Sequence, residues 1–228
     1  MFEYINENLI KIKEAAAAAA AKSPYGQDYE ILLATKYANA EEINYARTLG
    51  INKIGENRVQ SLLEKYDKLN REGLDIHFIG SLQRNKVKYI IDKVSMIESL
   101  DSVELAREIE KQAAKKNIVM DCLIEVNIGD EEAKGGISKQ DVLCFADELD
   151  AFPHIRLCGI MTMAPKCTEI DEYRKYFKES YNIFIDICEK KLHNVNRKVL
   201  SMGMSESFSA ALMEGANLIR VGRAAFQK

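Results

Sequence analysis

The sequence predicts an α/β protein, a single (β/α)8 TIM-type barrel with an additional N-terminal helix, occupying residues 1–228 as one domain. Three observations carry that expectation. Short apolar runs alternate with helical patterns from residue 30 onward. Their number, eight strands with seven helices between them, is the barrel number. The last two strands each run into a loop of small residues, where barrels of this kind hold phosphate groups.

The elements follow in order. Residues 2 to about 22 form a first helix, whose alanine run at 15–21 favours helix and gives a small face for close packing. Ser23-Pro-Tyr-Gly26 breaks it. Strands are expected near 30–36, 52–56, 76–80, 94–99, 119–128, 156–162, 198–202 and 218–222. Helices are expected near 39–49, 57–71, 82–91, 101–116, 138–150, 168–191 and 205–214. The N-terminal helix supplies the outer position that seven helices leave empty. A doubly wound open sheet is the alternative, but it usually needs fewer strands in this length. Three prolines, no linker-like stretch and a last strand ending six residues before the terminus argue against a second domain.

Composition narrows the partners. A formal charge of −3 gives no electrostatic case for nucleic acid or an anionic membrane, so any bound phosphate must be held by a local site. Cysteines 122, 144, 158, 167 and 188 include no C-x-x-C pair, and their odd number fits a reducing compartment. Each reads as a small buried hydrophobe. His77, His154 and His193 lack zinc-ligand spacing, so no metal site is expected. Neither a signal peptide nor a bilayer-spanning apolar stretch is present, and the expected location is cytoplasmic.

In a barrel, chemistry belongs on the loops after the strands' C-terminal ends. Lys36 closes the first apolar run, Glu30-Ile-Leu-Leu-Ala-Thr-Lys36. Alternation puts Leu32, Ala34 and Lys36 on one face, with Ile31, Leu33 and Thr35 on the other. Taken alone, such a lysine is a solvated strand cap; placed in a pocket, it can condense with an aldehyde. The second strand ends Ile54-Gly-Glu-Asn57, where a lone asparagine reads first as a helix N-cap. In the third, His77 stands between Ile76 and Phe78 and reads first as a satisfied core histidine. The fifth carries Asp121, Glu125 and Asn127 on one parity, so a site or a buried polar network lies inside the barrel there.

The phosphate signal comes from two loops. The seventh strand runs into Ser201-Met-Gly-Met-Ser205, and the eighth ends Arg220-Val-Gly-Arg223. Small residues before a helix let backbone N–H groups approach an anion, and Ser201 and Ser205 add hydroxyls. An N-cap at Ser205 or a tight turn at Gly222 explains either loop singly, but not their coincidence. Arg220 shares parity with Leu218 and Gly222, so it faces the interior and needs a partner there. An imine-forming lysine, an anion cradle and an inward arginine are requirements of pyridoxal phosphate. Lys36 would form the Schiff base, the 201–205 and 222–223 loops would hold the phosphate, and Arg220 would donate to the pyridine nitrogen.

At these residues the chain resembles the pyridoxal phosphate homeostasis protein family, single-domain relatives of the alanine racemase barrel. The matching segments span nearly the whole chain: Ala34-Thr-Lys36, Ile54-Gly-Glu-Asn57, His77-Phe-Ile-Gly-Ser-Leu-Gln-Arg-Asn-Lys86, Ile124-Glu-Val-Asn127, Lys134-Gly-Gly-Ile137, Gly159-Ile-Met-Thr-Met163, Leu200-Ser-Met-Gly-Met-Ser205 and Ile219-Arg-Val-Gly222. The resemblance implies Lys36 as the cofactor's imine lysine, Arg220 near its ring nitrogen, and Ser201, Ser205, Gly222 and Arg223 around its phosphate. It places Asn57 and His77 in motifs that line the pocket. Relatives often carry threonine where this chain has Arg223, so contact there is by backbone N–H with the guanidinium or by backbone alone. Lys134 is a weaker candidate for a second cofactor contact, and a solvated loop lysine beside Glu131 and Glu132 is the simpler reading.

Three functions are compatible with these residues. The expected one is a non-catalytic carrier that holds pyridoxal phosphate and hands it to apo pyridoxal-phosphate enzymes, acting as a monomer. A racemase-type enzyme is the alternative; alanine racemases add a β-domain whose tyrosine serves as the opposite base, and this chain lacks room for one. Tyr37 is a poor substitute, since strand alternation turns it away from Lys36. A sugar-phosphate barrel with an aldolase lysine at Lys36 would use the same loops without the cofactor.

Overall fold

The structure, a computed structural model, describes residues 2–131, 135–190 and 198–228. Lys134 and His193 lie outside the described residues. Strands β1 (Glu30–Ala34), β2 (Lys53–Glu56), β3 (Asp75–Phe78), β4 (Met96–Leu100), β5 (Met120–Asn127), β6 (Ile137–Ser138), β7 (Ile155–Thr162), β8 (Val199–Ser201) and β9 (Leu218–Val221) form one parallel sheet. Eight of them close into a barrel in the order β1-β2-β3-β4-β5-β7-β8-β9, because β4 pairs with β5 and β9 returns to β1. The two-residue β6 adds to the C-terminal end of β5, where the sequence pattern gave no strand.

Alternation along the strands separates two apolar layers. Leu32, Met96, Leu123, Cys158, Met161, Val199 and Leu218, with Ile79, fill the barrel interior. The opposite parity, including Leu33, Ile54, Ile97, Cys122, Ile124 and Ile160, packs against the helices. Parallel strands buried on both faces need such apolar runs. Helices α2 (Ala40–Thr48), α3 (Val59–Tyr66), α4 (Val87–Ile90), α5 (Val103–Lys116), α6 (Val142–Leu149), α7 (Ile170–Lys190), α8 (Phe208–Met213) and α9 (Arg223–Phe226) follow α1 (Glu3–Ala20). In α1, Ile5, Leu9, Ile12, Ala16 and Ala19 recur at spacings of three and four and form one buried stripe against α8 and α9. The N-terminal helix thus takes the outer position expected of it.

Several boundaries differ from the sequence expectation, among them the helices expected at 57–71 and 138–150, which are Val59–Tyr66 and Val142–Leu149. The first strand stops at Ala34, because Thr35 and Lys36 enter a turn. The 82–91 segment is a 3-10 turn over Arg84–Lys86 followed by the single turn α4; its polar Gln83-Arg84-Asn85-Lys86 offers no apolar face. Ser205 does not start the following helix, which begins at Phe208. Among the described residues no helix is long and apolar enough to cross a membrane.

Two irregularities set what faces inward. Between Ile97↔Cys122 and Leu100↔Ile124 strand β4 carries one extra residue, and between Leu157↔Cys122 and Gly159↔Leu123 so does β7. Gly159 sits at φ +147°, and a Cβ there would stand 2.0 Å from the Val199 carbonyl oxygen. Gly159→Ala is therefore expected to destabilise the protein by roughly 2–3 kcal/mol. Urea unfolding with an unchanged midpoint would contradict this role for the bulge.

Candidate functional site

The turn after β1 is built from outside the barrel. Thr35 is fully buried, and its hydroxyl donates to the Glu56 carboxylate at 2.6 Å. Lys65 from α3 donates both to Glu56 at 2.6 Å and to the Thr35 carbonyl at 2.8 Å. Ser61 donates to the second Glu56 oxygen at 3.1 Å. These contacts fix the backbone that carries Lys36, whose side chain stays exposed with Nζ 4.9 Å from the Tyr37 ring centre. Because the strand has ended, alternation no longer applies: Tyr37 lines the same cleft as Lys36, contrary to the sequence expectation.

That cleft, about 360 Å³ in volume, opens at the C-terminal end of the barrel. It brings together six of the eight candidate residues, Lys36, Asn57, Ser205, Arg220, Gly222 and Arg223. Asn57 is not the N-cap of α3, a position held by Arg58. Its Oδ1 is buried in the cleft wall with no hydrogen-bond partner, an acceptor left open for a donor. Gly80 allows this placement, since a Cβ there would come within 2.3 Å of the Asn57 carbonyl oxygen.

The two glycine loops meet across the cleft. Ser205 Oγ accepts from the backbone N–H of Gly222 at 3.4 Å and of Ala224 at 3.3 Å. Both bonds are long, so these donors are weakly engaged. Gly222 must lack a side chain because a Cβ would lie 2.8 Å from the Ala34 carbonyl oxygen. Two backbone donors, a hydroxyl and a bare Cα can hold a phosphate group. The Arg223 guanidinium is turned to the rim, where it donates to Glu206 at 3.0 Å.

His77 and Ser201 do not line the cleft; they lie beneath it, 1 % and 0 % exposed. Arg220, also buried, donates through Nη1 to Ser201 Oγ at 2.7 Å and through Nη2 to the Thr162 carbonyl at 2.8 Å. The Ser201 hydroxyl donates to Glu98 Oε2 at 2.5 Å, and Glu98 Oε1 meets His77 Nδ1 at 2.6 Å. The core reading of His77 as a satisfied histidine therefore matches its place. Burial works against the imidazolium, but the Asp75 and Glu98 carboxylates outweigh it and raise His77 to about 9. Burial works against the Glu98 carboxylate too, yet His77 and Arg220 hold it below the usual range.

Glu125 joins this interior from β5, whereas Asp121 on the same parity pairs with the exposed Arg156 and Asn127 bonds the Glu131 backbone. Burial and the nearby Asp101 charge push the Glu125 carboxyl up to about 7, against the opposing pull of Arg220. A folded-state value above the unfolded 4.5 means stability is lost as pH rises from about 4.5 through about 7. Glu125→Gln is expected to flatten that fall, worth on the order of 3 kcal/mol for a shift of this size. Urea midpoints at pH 4.5 and 8 check it; parallel parent and variant profiles would contradict it.

Sequence reasoning turned Tyr37 away from the cleft and missed Met163, Lys166, Tyr173 and Met204; all five line it, from loops and from α7. It also passed over Glu98, although a carboxylate between Ile97 and Ser99 in an apolar strand was a signal.

Comparison with known proteins places this architecture. The alanine racemase N-terminal domain family matches residues 5–227. The pyridoxal phosphate homeostasis protein of Aquifex aeolicus is 39% identical over 221 residues, covering 96% of each chain. The chain belongs to the pyridoxal phosphate homeostasis protein family. A crystal structure of a protein of unknown function from Bifidobacterium adolescentis superposes with a TM-score of 0.92 at 30% identity, covering 99% of this chain and 95% of that one. PipY of Synechococcus elongatus, in its structure with PLP bound, shares the fold with a TM-score of 0.83 at 24% identity, covering 97% and 99%. For this family the cleft offers an exposed amine on a fixed turn, an open acceptor at Asn57, a two-loop anion cradle and a buried guanidinium.

Proposed function

We propose that this chain is a pyridoxal 5′-phosphate-binding protein of intracellular cofactor homeostasis, a single barrel domain over residues 1–228 that holds the cofactor as a Lys36 Schiff base without catalytic turnover. The observation that carries the reading is the convergence of Lys36, Arg220 and the Ser205–Gly222 cradle on one cleft of about 360 Å³. Bound pyridoxal phosphate supplies an aldehyde that condenses with an amine and a ring that accepts electrons. Lys36 provides the amine, and the Gly222 and Ala224 N–H groups with the Ser205 hydroxyl take the phosphate. Arg223 contributes its backbone there, while its guanidinium stays with Glu206. Asn57 presents an acceptor to the ring substituents. His77 and Ser201 serve from beneath.

Arg220 suits simple carriage of the cofactor, or racemisation-like proton transfer at most. A guanidinium keeps its protons, so Arg220 would leave the ring nitrogen unprotonated, which would weaken the ring as an electron sink. The protein would act in the cytoplasm as a monomer, with apo pyridoxal-phosphate enzymes as recipients. A racemase-type enzyme is the second reading, favoured by one observation, the Tyr37 phenol on the same cleft as Lys36.

Titration with pyridoxal phosphate followed by absorbance, then incubation with single-enantiomer amino acids, tests both. A visible band with no enantiomer formed is the expected result. Racemisation lost in Tyr37→Phe would favour the second reading, and no band would leave a sugar-phosphate barrel.

A further inference from the structure

Beneath the cleft a string of polar groups runs through the barrel to its opposite end. From Arg220 it passes to Ser201, Glu98 and His77, whose Nε2 lies 3.7 Å from Asp75 Oδ2. Asp75 is itself bonded to Lys53 and to Ser95, and Lys53 reaches Glu30 at 3.5 Å. The Asp75 side chain is 30% exposed, at the end of β3 remote from the cleft. Burying this many polar groups inside a barrel is costly unless each is paired.

We propose that His77 is a positioning residue: its proton neutralises Glu98 and so leaves the Arg220 guanidinium free to face the cleft, coupling cofactor affinity to the protonation of a side chain that never touches the cofactor. The inference rests on the functional reading above, which places Arg220 against the ring nitrogen.

The charged groups against His77 are Asp75 on its own strand and Glu98 from β4; behind them stand Lys53 from β2 on Asp75, Arg220 from β9 on Glu98, and Glu125 from β5, which acts on Arg220. With His77 protonated, Nδ1 donates to Glu98 at 2.6 Å and Nε2 stands at ion-pair distance, 3.7 Å, from Asp75, so Glu98 has a cation beside it. When His77 loses its proton, the neutral ring still donates its one N–H to Glu98, but the buried carboxylate has lost the imidazolium charge and Arg220 becomes the cation acting on it. In so dry a site the attraction is strong, and it pulls the guanidinium down toward Glu98. Ser201 Oγ already bridges the two, 2.7 Å from Arg220 and 2.5 Å from Glu98, so a small shift suffices. Asp75 gives the His77 proton a way to solvent that bypasses the occupied cleft.

The test compares pyridoxal phosphate dissociation constants of His77→Gln and the parent, side by side from pH 7 to 10. In the ratio, the titrations of the cofactor and of Lys36 cancel. The variant is expected to bind about tenfold more weakly at pH 7, within the usual range of coupling between sites, and equally at pH 10, with the change centred near the His77 value of about 9. A ratio that stays flat across this range, at one or at any other value, overturns the coupling while leaving the functional reading intact. No binding by the parent at any pH would remove both. Should His77→Gln fail to fold by circular dichroism, the double variant His77→Gln/Glu98→Gln removes both charges together. It is expected to match the parent at pH 7 and to bind about tenfold more tightly at pH 10, and a flat ratio overturns the coupling in the same way.

Discussion

Arg220→Leu is expected to cost the fold about 3–5 kcal/mol, the usual result of deleting one partner from a buried charged network. Leucine roughly fills the space but offers no donors. The Thr162 carbonyl and the Ser201 hydroxyl each lose a bond, at 2.8 and 2.7 Å. Glu98 and Glu125 lose a positive neighbour that favours their charged forms. At 2–4 °C per kcal/mol for a chain of this size, the melting temperature should fall by roughly 10 °C. Arg220→Lys keeps the charge but not the two-pronged donation, and should recover only part of the loss. Urea and thermal unfolding measure both; a drop below about 1 kcal/mol in the leucine variant would mean that the network contributes little.

Lys36→Ala should behave in the opposite way. Lys36 is exposed, and the contact it makes in the structure is with the Tyr37 ring at 4.9 Å, worth about 0.5 kcal/mol at such a site. The turn that carries it is held by Thr35, Glu56 and Lys65, none of which the substitution touches. The melting temperature should therefore move by no more than about 2 °C. The visible band and the borohydride-fixed adduct should both disappear, while the phosphate cradle remains. Loss of soluble protein would contradict this division between anchor and scaffold, and a retained adduct would move the anchor elsewhere.

How much of this could be read from the sequence depends on which force sets each feature. The barrel was legible because burial on both strand faces leaves a long apolar signature, as in Leu32 and Leu33 or Leu123 and Ile124. Lys36, Arg220 and Gly222 were legible because a charge or a bare Cα at a strand end is conspicuous. The bulges at 97–100 and 157–159 were not, since one extra residue is decided by pairing across strands and leaves no local pattern. Tyr37 was misread for a related reason: alternation assumes a strand, and the strand ends at Ala34. Lys166, Met163 and Met204 come from segments without periodicity, and only the closed barrel brings them to the cleft. His77 and Ser201 were singled out by their motifs, but their depth beneath the cleft follows from strand register, with His77 opposite Gly55 and Met96.

In the proposed function Lys36 anchors pyridoxal phosphate in this cleft. The most direct test is to treat the parent protein with pyridoxal phosphate, reduce it with borohydride and map the modified peptide by mass spectrometry. The account predicts one pyridoxyl group per chain, on the peptide carrying Lys36. A label on Lys166 at the rim of the same cleft, a scatter of labels over surface lysines, or no label would contradict it.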